Sequence, residues 1–157
     1  MLTPAHAAFI ARHTSISVAA RDARNRPTVG RALGCRVAED LRTVTVFLSA
    51  SRSAEVLACL RENCAIALAV TRPTTNQTLQ LKGMVTAIVP ATVDDTAEIA
   101  AYCESFVEEL AVLGYGAELA RGVLAGADDS VAVVFALGAV FDQTPGPQAG
   151  RVMDARV

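Results

Sequence analysis

The fold is decided by the segment Thr43-Val-Thr-Val-Phe-Leu-Ser-Ala-Ser-Arg-Ser53, in which an apolar strand runs into a hydroxyl-rich turn. The residues that follow have the apolar spacing of an amphipathic helix, which is predicted to end near Glu62. The first turn of a helix exposes unpaired N–H groups and the positive end of the helix dipole, so this junction can bind an anion. The structural alternative is that Ser51 or Ser53 caps the helix while Arg52 is solvated.

Length and composition limit the classes of function. The chain has 157 residues, which is enough for one domain with its own core, so residues 1–157 are predicted to form a single domain. A net charge of −2 and an aromatic content of 4% disfavour nucleic-acid binding, which uses basic surfaces and stacking side chains. Although 52% of the residues are hydrophobic, no apolar run approaches the roughly 20 residues of a membrane-spanning helix.

The N-terminal region and the cysteines predict a cytoplasmic protein. Met1 to His6 lacks the basic and apolar parts of a secretory signal. There is no C-x-x-C pair, and the apolar surroundings predict reduced, buried thiols at Cys35, Cys59, Cys64 and Cys103. The two histidines, His6 and His13, lie far in sequence from any pair of cysteines, so no metal site is predicted.

The order of elements predicts a mainly β fold. About six strands, several of them apolar on both faces, alternate with helices, which favours an antiparallel β-barrel with peripheral helices. One strand, from Cys64 to Thr71, alternates bulky residues with alanines, and its flat alanine face suits packing against a helix or a second subunit. The tail from Asp142 is rich in proline and glycine and is predicted to be a turn or an extended arm.

A strand predicted from Thr28 to Val37 would place Arg31 as the single charge on an apolar stripe. Burying a guanidinium without a partner costs several kcal/mol, so we expect Arg31 to pair with a carboxylate or with a bound anion. The alternatives are that Arg31 extends into solvent at a strand end or pairs with Glu39 or Asp40.

A long strand predicted from Gln77 to Val89 places Gln80 and Lys82 on one face. Gly83 interrupts this strand, and a glycine inside a strand is typical of a bulge, which would turn both polar side chains toward the same region. The alternative is that they form the solvent-facing side of an edge strand.

Three pieces of the sequence, in this order, carry a family resemblance: Arg26-Pro-Thr-Val-Gly-Arg31, Val46-Phe-Leu-Ser49 with Ser51-Arg52-Ser53, and Leu79-Gln-Leu-Lys-Gly83. They resemble the FMN-binding split barrel of the pyridoxamine 5′-phosphate oxidase-related family. The resemblance covers most of the chain and implies a six-stranded antiparallel split barrel of the FMN-binding type.

The resemblance also implies a cofactor site. The flavin phosphate would be bound by Arg31 and Arg52, and Ser53 stands where a lysine is usual. Either Lys82 or another arginine compensates for that lysine, or phosphate binding is weak or absent. The complete set of implied cofactor-binding residues is Arg31, Leu48, Ser49, Ser51, Arg52, Ser53, Gln80 and Lys82. The resemblance further implies a homodimer with the flavin at the subunit interface.

Two functions are compatible with this reading. The first is an FMN-dependent oxidoreductase acting on a small-molecule substrate or electron donor, for which the sequence indicates no catalytic acid–base pair. The second is a non-enzymatic carrier or sensor of flavin, haem or deazaflavin, in which His6 and His13 are the available haem-ligating imidazoles. The tail lacks the histidine that the oxidases proper use to recognise pyridoxal phosphate, so that activity is not inferred.

Overall fold

A computed structural model of the protein describes residues 2–153. It contains eight strands and four α-helices, and a 3₁₀ turn (Ala127–Asp129) precedes the seventh strand. In chain order the elements are α1 (Pro4–Ala11), β1 (Ser15–Arg21), β2 (Pro27–Arg31), β3 (Gly34–Val37), β4 (Thr43–Ser49), α2 (Ala54–Asn63), β5 (Ala65–Thr71), β6 (Thr78–Pro90), α3 (Val93–Val112), α4 (Ala117–Val123), β7 (Ser130–Asp142) and β8 (Arg151–Met153).

All eight strands belong to one antiparallel sheet, in the order β2-β1-β5-β6-β7-β4-β3, with β8 added to β7. The two edge strands, β2 and β3, are consecutive in the chain. The N–H of Ala32 donates to the carbonyl of Ile16 in β1, whereas the N–H of the next residue, Leu33, donates to the carbonyl of Phe47 in β4. The sheet is therefore curled into a half-barrel whose two edges are linked by one short segment.

The predicted mainly β, barrel-like class is confirmed, but the predicted number of six strands is wrong. The strand predicted from Thr28 to Val37 is divided into β2 and β3. Arg31 of β2 pairs with Ser17 of β1, while Gly34 of β3 pairs with Phe47 of β4. The apolar alternation runs through both strands, so only the change of pairing partner reveals the break.

The predicted turn or arm after Asp142 contains the additional strand β8. Strand β4 covers one edge of β7 only as far as Ala136, whereas β7 continues to Asp142. The backbone groups of this extension need partners, and β8 provides them by pairing with Val140, Phe141 and Asp142.

Buried side chains form one contiguous core. In the interior strands β1 and β5, every second residue contributes to it. In β5 the bulky residues Ile66, Leu68 and Val70 are buried, whereas the alanines between them are half-buried. Helix α2 packs against β1 and β2 and buries its apolar stripe. This packing holds the N-terminus of α2 beside β2.

The predicted irregularity in β6 is confirmed. The register with β7 shifts between Lys82 and Gly83. A Cβ atom on Gly83 would lie 2.2 Å from the carbonyl oxygen of Ala136, so a side chain here would displace the neighbouring backbone. Leu79 and Leu81 are buried, which leaves Gln80 and Lys82 on the opposite face as predicted.

The four cysteines are all free thiols. Only Cys35 is buried, and its burial raises the pKa of the thiol to about 12. The other three are half-buried because they lie near element ends or on helix flanks, so the expectation of four buried thiols is wrong for them. Within residues 2–153, no helix combines the length and the apolar character needed to cross a bilayer.

Candidate functional site

Four of the predicted cofactor residues line one cavity of about 110 Å³: Arg31, Ser49, Arg52 and Ser53. Arg31 is the last residue of β2 and Ser49 the last residue of β4, while Arg52 and Ser53 lie in the turn between β4 and α2. We call this group the two-arginine site. Its lining is completed by Leu33, Val123 and Ala125. A second cavity, of about 330 Å³, surrounds the N-terminus of α2 and is also lined by Arg52 and Ser53.

Arg31 is exposed, not buried as its position on an apolar stripe predicted. Strand β2 is a short edge strand without a fully buried residue, so the side chain reaches solvent at its end. The guanidinium donates to the hydroxyl of Ser15 in β1. Asp40, one of its suggested partners, instead accepts from the backbone N–H groups of Arg42 and Thr43. The structure therefore agrees with the alternative in which Arg31 extends into solvent at the end of a strand.

Arg52 is held against the segment that precedes β7. Its Nη1 donates to the carbonyl of Ala125 at 2.8 Å, and its backbone N–H donates to Ser49 Oγ at 3.3 Å. A guanidinium has five N–H donors, so most of them remain available to a ligand. Among residues 2–153, neither Arg52 nor Arg31 has a carboxylate within 4.0 Å. Two guanidinium groups on one cavity without a directly paired acid favour an anionic ligand.

Ser53 occupies the N-cap position of α2, but its side chain makes no capping hydrogen bond. It is nearly fully buried, with 3% of its surface exposed, and it lines the two-arginine site. The first-turn N–H groups of α2 have no intrahelical acceptor and receive none from this hydroxyl. The capping role proposed for Ser53 is therefore not seen, and the residues of this first turn line the larger cavity.

The turn before α2 is bound by a carboxylate of the protein itself. Ser49 Oγ donates to Oδ1 of Asp129 at 2.7 Å, and the N–H of Ser51 donates to Oδ2 at 2.7 Å. The N–H of Ala50 donates to the Asp129 carbonyl at 3.1 Å. Hydrogen bonds from Ser51 and Ser49 lower the pKa of Asp129 to about 2, so the side chain is ionised at neutral pH.

Sequence reasoning missed Asp129. The only local signal is its position in the turn Gly126-Ala-Asp-Asp-Ser130, which resembles any polar turn before a strand. Gly126 allows this turn to approach, because its φ of +97° favours glycine and a Cβ atom would lie 2.9 Å from Ser49 Oγ. The contact arises because Ser49 and Ser130 are paired at the ends of the neighbouring strands β4 and β7.

Comparison with known proteins identifies the fold. No protein-family model matches the sequence, and neither does any curated protein. Among solved structures, an F420 reductase has a TM-score of 0.54 at 16% identity, with 88% of this chain and 98% of that chain covered. A protein described as a candidate pyridoxamine 5′-phosphate oxidase from Lactobacillus delbrueckii has a TM-score of 0.55 at 11% identity, with 89% and 93% covered. An FMN-binding protein from Syntrophomonas wolfei has a TM-score of 0.53 at 10% identity, with 85% and 79% covered.

The chain has the split-barrel fold. At these identities the similarity shows the fold alone, and it confirms the structural part of the resemblance seen in the sequence. The roles of individual residues remain predictions.

The remaining predicted cofactor residues of the split barrel lie outside the two-arginine site. Leu48 is fully buried in the core, so only its backbone could contact a ligand. Gln80 accepts from Gln143 Nε2 at 3.3 Å, and Lys82 Nζ lies 4.8 Å from the ring centroid of Phe141.

Gln80 is connected to Arg31 by a row of paired residues that runs through Ala69 of β5 and Ser17 of β1. Two strands therefore separate β6 from β2, which corresponds to about 14 Å at the usual strand spacing. In this chain Lys82 therefore lies on a strand remote from Arg31.

The two histidines of the split barrel have separate structural roles. His6 forms a capping box with Thr3 at the start of α1. The backbone N–H of His13 donates to Ser105 Oγ at 3.0 Å, and its Nδ1 lies 3.1 Å from the Ser105 carbonyl. In the part of the chain that the structure describes, no group of three or more His, Cys, Asp or Glu side chains is placed to hold a metal ion.

Proposed function

We propose that the protein is a flavin-dependent oxidoreductase that binds FMN with its phosphate at the two-arginine site. The observation that carries this proposal is that Arg31 and Arg52 line one cavity and that no carboxylate among residues 2–153 is paired to either. The printed names of two structures with the same fold, an FMN-binding protein and a candidate pyridoxamine 5′-phosphate oxidase, support the choice of ligand.

The residues present fit a phosphate group. A phosphate monoester is doubly charged near neutral pH and has three acceptor oxygens, which match the forked donors of two guanidinium groups. The first turn of α2 adds backbone donors and a favourable dipole, and the hydroxyl of Ser53 lies on the same cavity. When bound, FMN would supply the electron transfer, and this chain would bind and orient it.

We further propose that the protein is a homodimer with the flavin between its subunits. The half-buried face of β5 consists of Ala65, Ala67, Ala69 and Thr71, and β5 is an interior strand of the sheet. Because these side chains are small, the row between Arg31 and Gln80 is flat and can pack closely against a second copy. This flat row also connects the two groups of predicted cofactor residues.

The proposal includes an unidentified small-molecule substrate or electron donor, and no catalytic acid–base pair is assigned. A cytoplasmic location belongs to the same proposal, and the four unpaired cysteines support it.

A second candidate is a non-enzymatic carrier or sensor of a deazaflavin. The shared fold with an F420 reductase supports the choice of this ligand. A haem-binding role has less support, because His6 and His13 already make the structural contacts described above.

The first experiment is a visible absorption spectrum of the purified protein before and after FMN is added and unbound ligand is removed. Flavin bands that remain with the protein are the expected result. Replacing Arg31 or Arg52 by alanine should lower FMN affinity about tenfold, because each removal deletes charge-assisted hydrogen bonds. Arg61→Ala is the matched control, since Arg61 is an exposed arginine in the last turn of α2, the helix that follows Arg52.

Unchanged FMN affinity in both Arg31→Ala and Arg52→Ala would contradict the phosphate site. Addition of NADH or NADPH without oxygen then separates an enzyme from a carrier. Rapid loss of the flavin absorption band indicates an oxidoreductase, whereas an unreactive bound flavin indicates the carrier or sensor.

A further inference from the structure

We call the segment Ser49-Ala-Ser-Arg-Ser53, which joins β4 to α2, the serine turn. Two of its hydrogen-bond donors are already bound to another residue of the protein. The hydroxyl proton of Ser49 and the backbone N–H of Ser51 both point to the carboxylate of Asp129. These are the groups that the resemblance placed near the flavin phosphate. We infer that Asp129 is a specificity-determining residue that occupies the serine turn as an internal anion and so restricts a ligand phosphate to Arg31, Arg52 and Ser53. This inference rests on the proposed function for the identity of the ligand.

The hydroxyl of Ser49 has no proton left to donate to a phosphate. A serine hydroxyl has one proton to donate and two lone pairs that accept. Because the proton of Ser49 is given to Asp129 at 2.7 Å, the oxygen can offer only lone pairs to the cavity that it lines. Lone pairs repel the oxygens of a phosphate, so Ser49 does not contribute to binding one.

The negative charge of Asp129 acts on a phosphate bound at the two-arginine site. Ser49 lies between this carboxylate and the two-arginine site, since it contacts both. The carboxylate is ionised at neutral pH, so it repels a doubly charged phosphate monoester more than a singly charged diester or an uncharged hydroxyl chain. The site is therefore less selective for a terminal phosphate than two arginines alone would make it.

The test compares FMN with riboflavin, which has the same ring system without the phosphate. Dissociation constants are measured by flavin fluorescence for the wild type, Asp129→Asn and Asp128→Asn. Asp129→Asn should increase the preference for FMN over riboflavin about threefold, because Asp129 is exposed and solvent screens the charge that the substitution removes. Asp128→Asn removes the same charge from the exposed neighbouring residue and should change the preference less than about twofold.

A second variant keeps the inference testable even if Asp129→Asn does not fold. Asp129→Ser removes the same charge and keeps a small side chain whose hydroxyl oxygen can accept a hydrogen bond. This variant should also raise the preference for FMN over riboflavin. An unchanged FMN preference in both Asp129→Asn and Asp129→Ser overturns the inference.

Inorganic phosphate gives a readout that does not depend on flavin. Phosphate should raise the melting temperature of Asp129→Asn more than that of the wild type, relative to sodium chloride at the same ionic strength. If no variant binds flavin but this difference is seen, the proposed function fails and the role of Asp129 stands. Equal stabilisation of both proteins by phosphate contradicts the role of Asp129.

Discussion

Ser49 Oγ lies 2.7 Å from Oδ1 of Asp129, although 80 positions separate the two residues in the chain. The contact joins the turn after β4 to the turn before β7, and it decides which donors of the candidate site remain free for a ligand. Asp129 accepts two hydrogen bonds from this turn with its carboxylate and a third with its backbone carbonyl. The carboxylate therefore also contributes to the stability of the turn, which leads to the first prediction.

Replacing Asp129 by asparagine should lower the melting temperature at pH 7, and the difference from the wild type should narrow in acid. The folded-state pKa of about 2 is below the ordinary value of 3.8, so the ionised carboxylate stabilises the fold above about pH 4. This contribution is lost as the pH falls from about 4 to 2. Melting curves across this range test the prediction, with Asp128→Asn as the control, and a constant difference between variant and wild type would contradict it.

Gly126→Ala should destabilise the protein by about 2 kcal/mol, because alanine is strained at positive φ and its Cβ would crowd Ser49 Oγ. Gly122→Ala is the matched control, since Gly122 lies in α4 and nothing is within 4 Å of an added Cβ. This second change should stabilise the protein by about 0.5–1 kcal/mol through helix propensity. Urea unfolding measures the free energy of unfolding of both variants. If Gly126→Ala were more stable than Gly122→Ala, the turn at Gly126 would not have the conformation described.

Ala67→Arg should convert the proposed dimer to a monomer, because a charged side chain would replace a methyl group in the middle of the flat face of β5. Ala100→Arg is the control, since Ala100 is exposed on α3 and lies outside this face. Sedimentation equilibrium measures the molar mass of each protein. A monomeric wild type, or a dimer that survives Ala67→Arg, would exclude this face as the interface.

Cys35 should be the last thiol to react in the native protein. Its side chain is buried, and desolvation raises its pKa to about 12, so very little reactive thiolate forms near pH 8. Brief treatment with iodoacetamide followed by peptide mass spectrometry should find Cys59 and Cys64 modified before Cys35. Treatment in denaturant should modify all of the thiols at similar rates. Early modification of native Cys35 would indicate local opening of β3.

Much of the candidate site could be predicted from the sequence, because its parts are local. Strand β4, the serine turn and α2 are continuous in the chain, and strand alternation together with the family resemblance added Arg31 from β2. The structure places Arg31 and Arg52 on the same cavity. It does not bring Gln80 or Lys82 to that cavity, because β1 and β5 lie between. Alternation along β6 was enough to predict that Gln80 and Lys82 share a face. Their distance from Arg31 could not be predicted in this way, because it depends on the order of the strands in the sheet.

The sequence by itself determined the local elements: the strand that ends at Ser49, the helix after Ser53, the irregularity at Gly83 and the flat alanine face of β5. These follow from side-chain periodicity and backbone preference over a few residues. Only the tertiary structure decided that residues 27–37 form two strands at opposite edges of the sheet, and that Asp129 binds the serine turn. Both depend on which distant strands pair, and that pairing is set by the packing of the whole sheet.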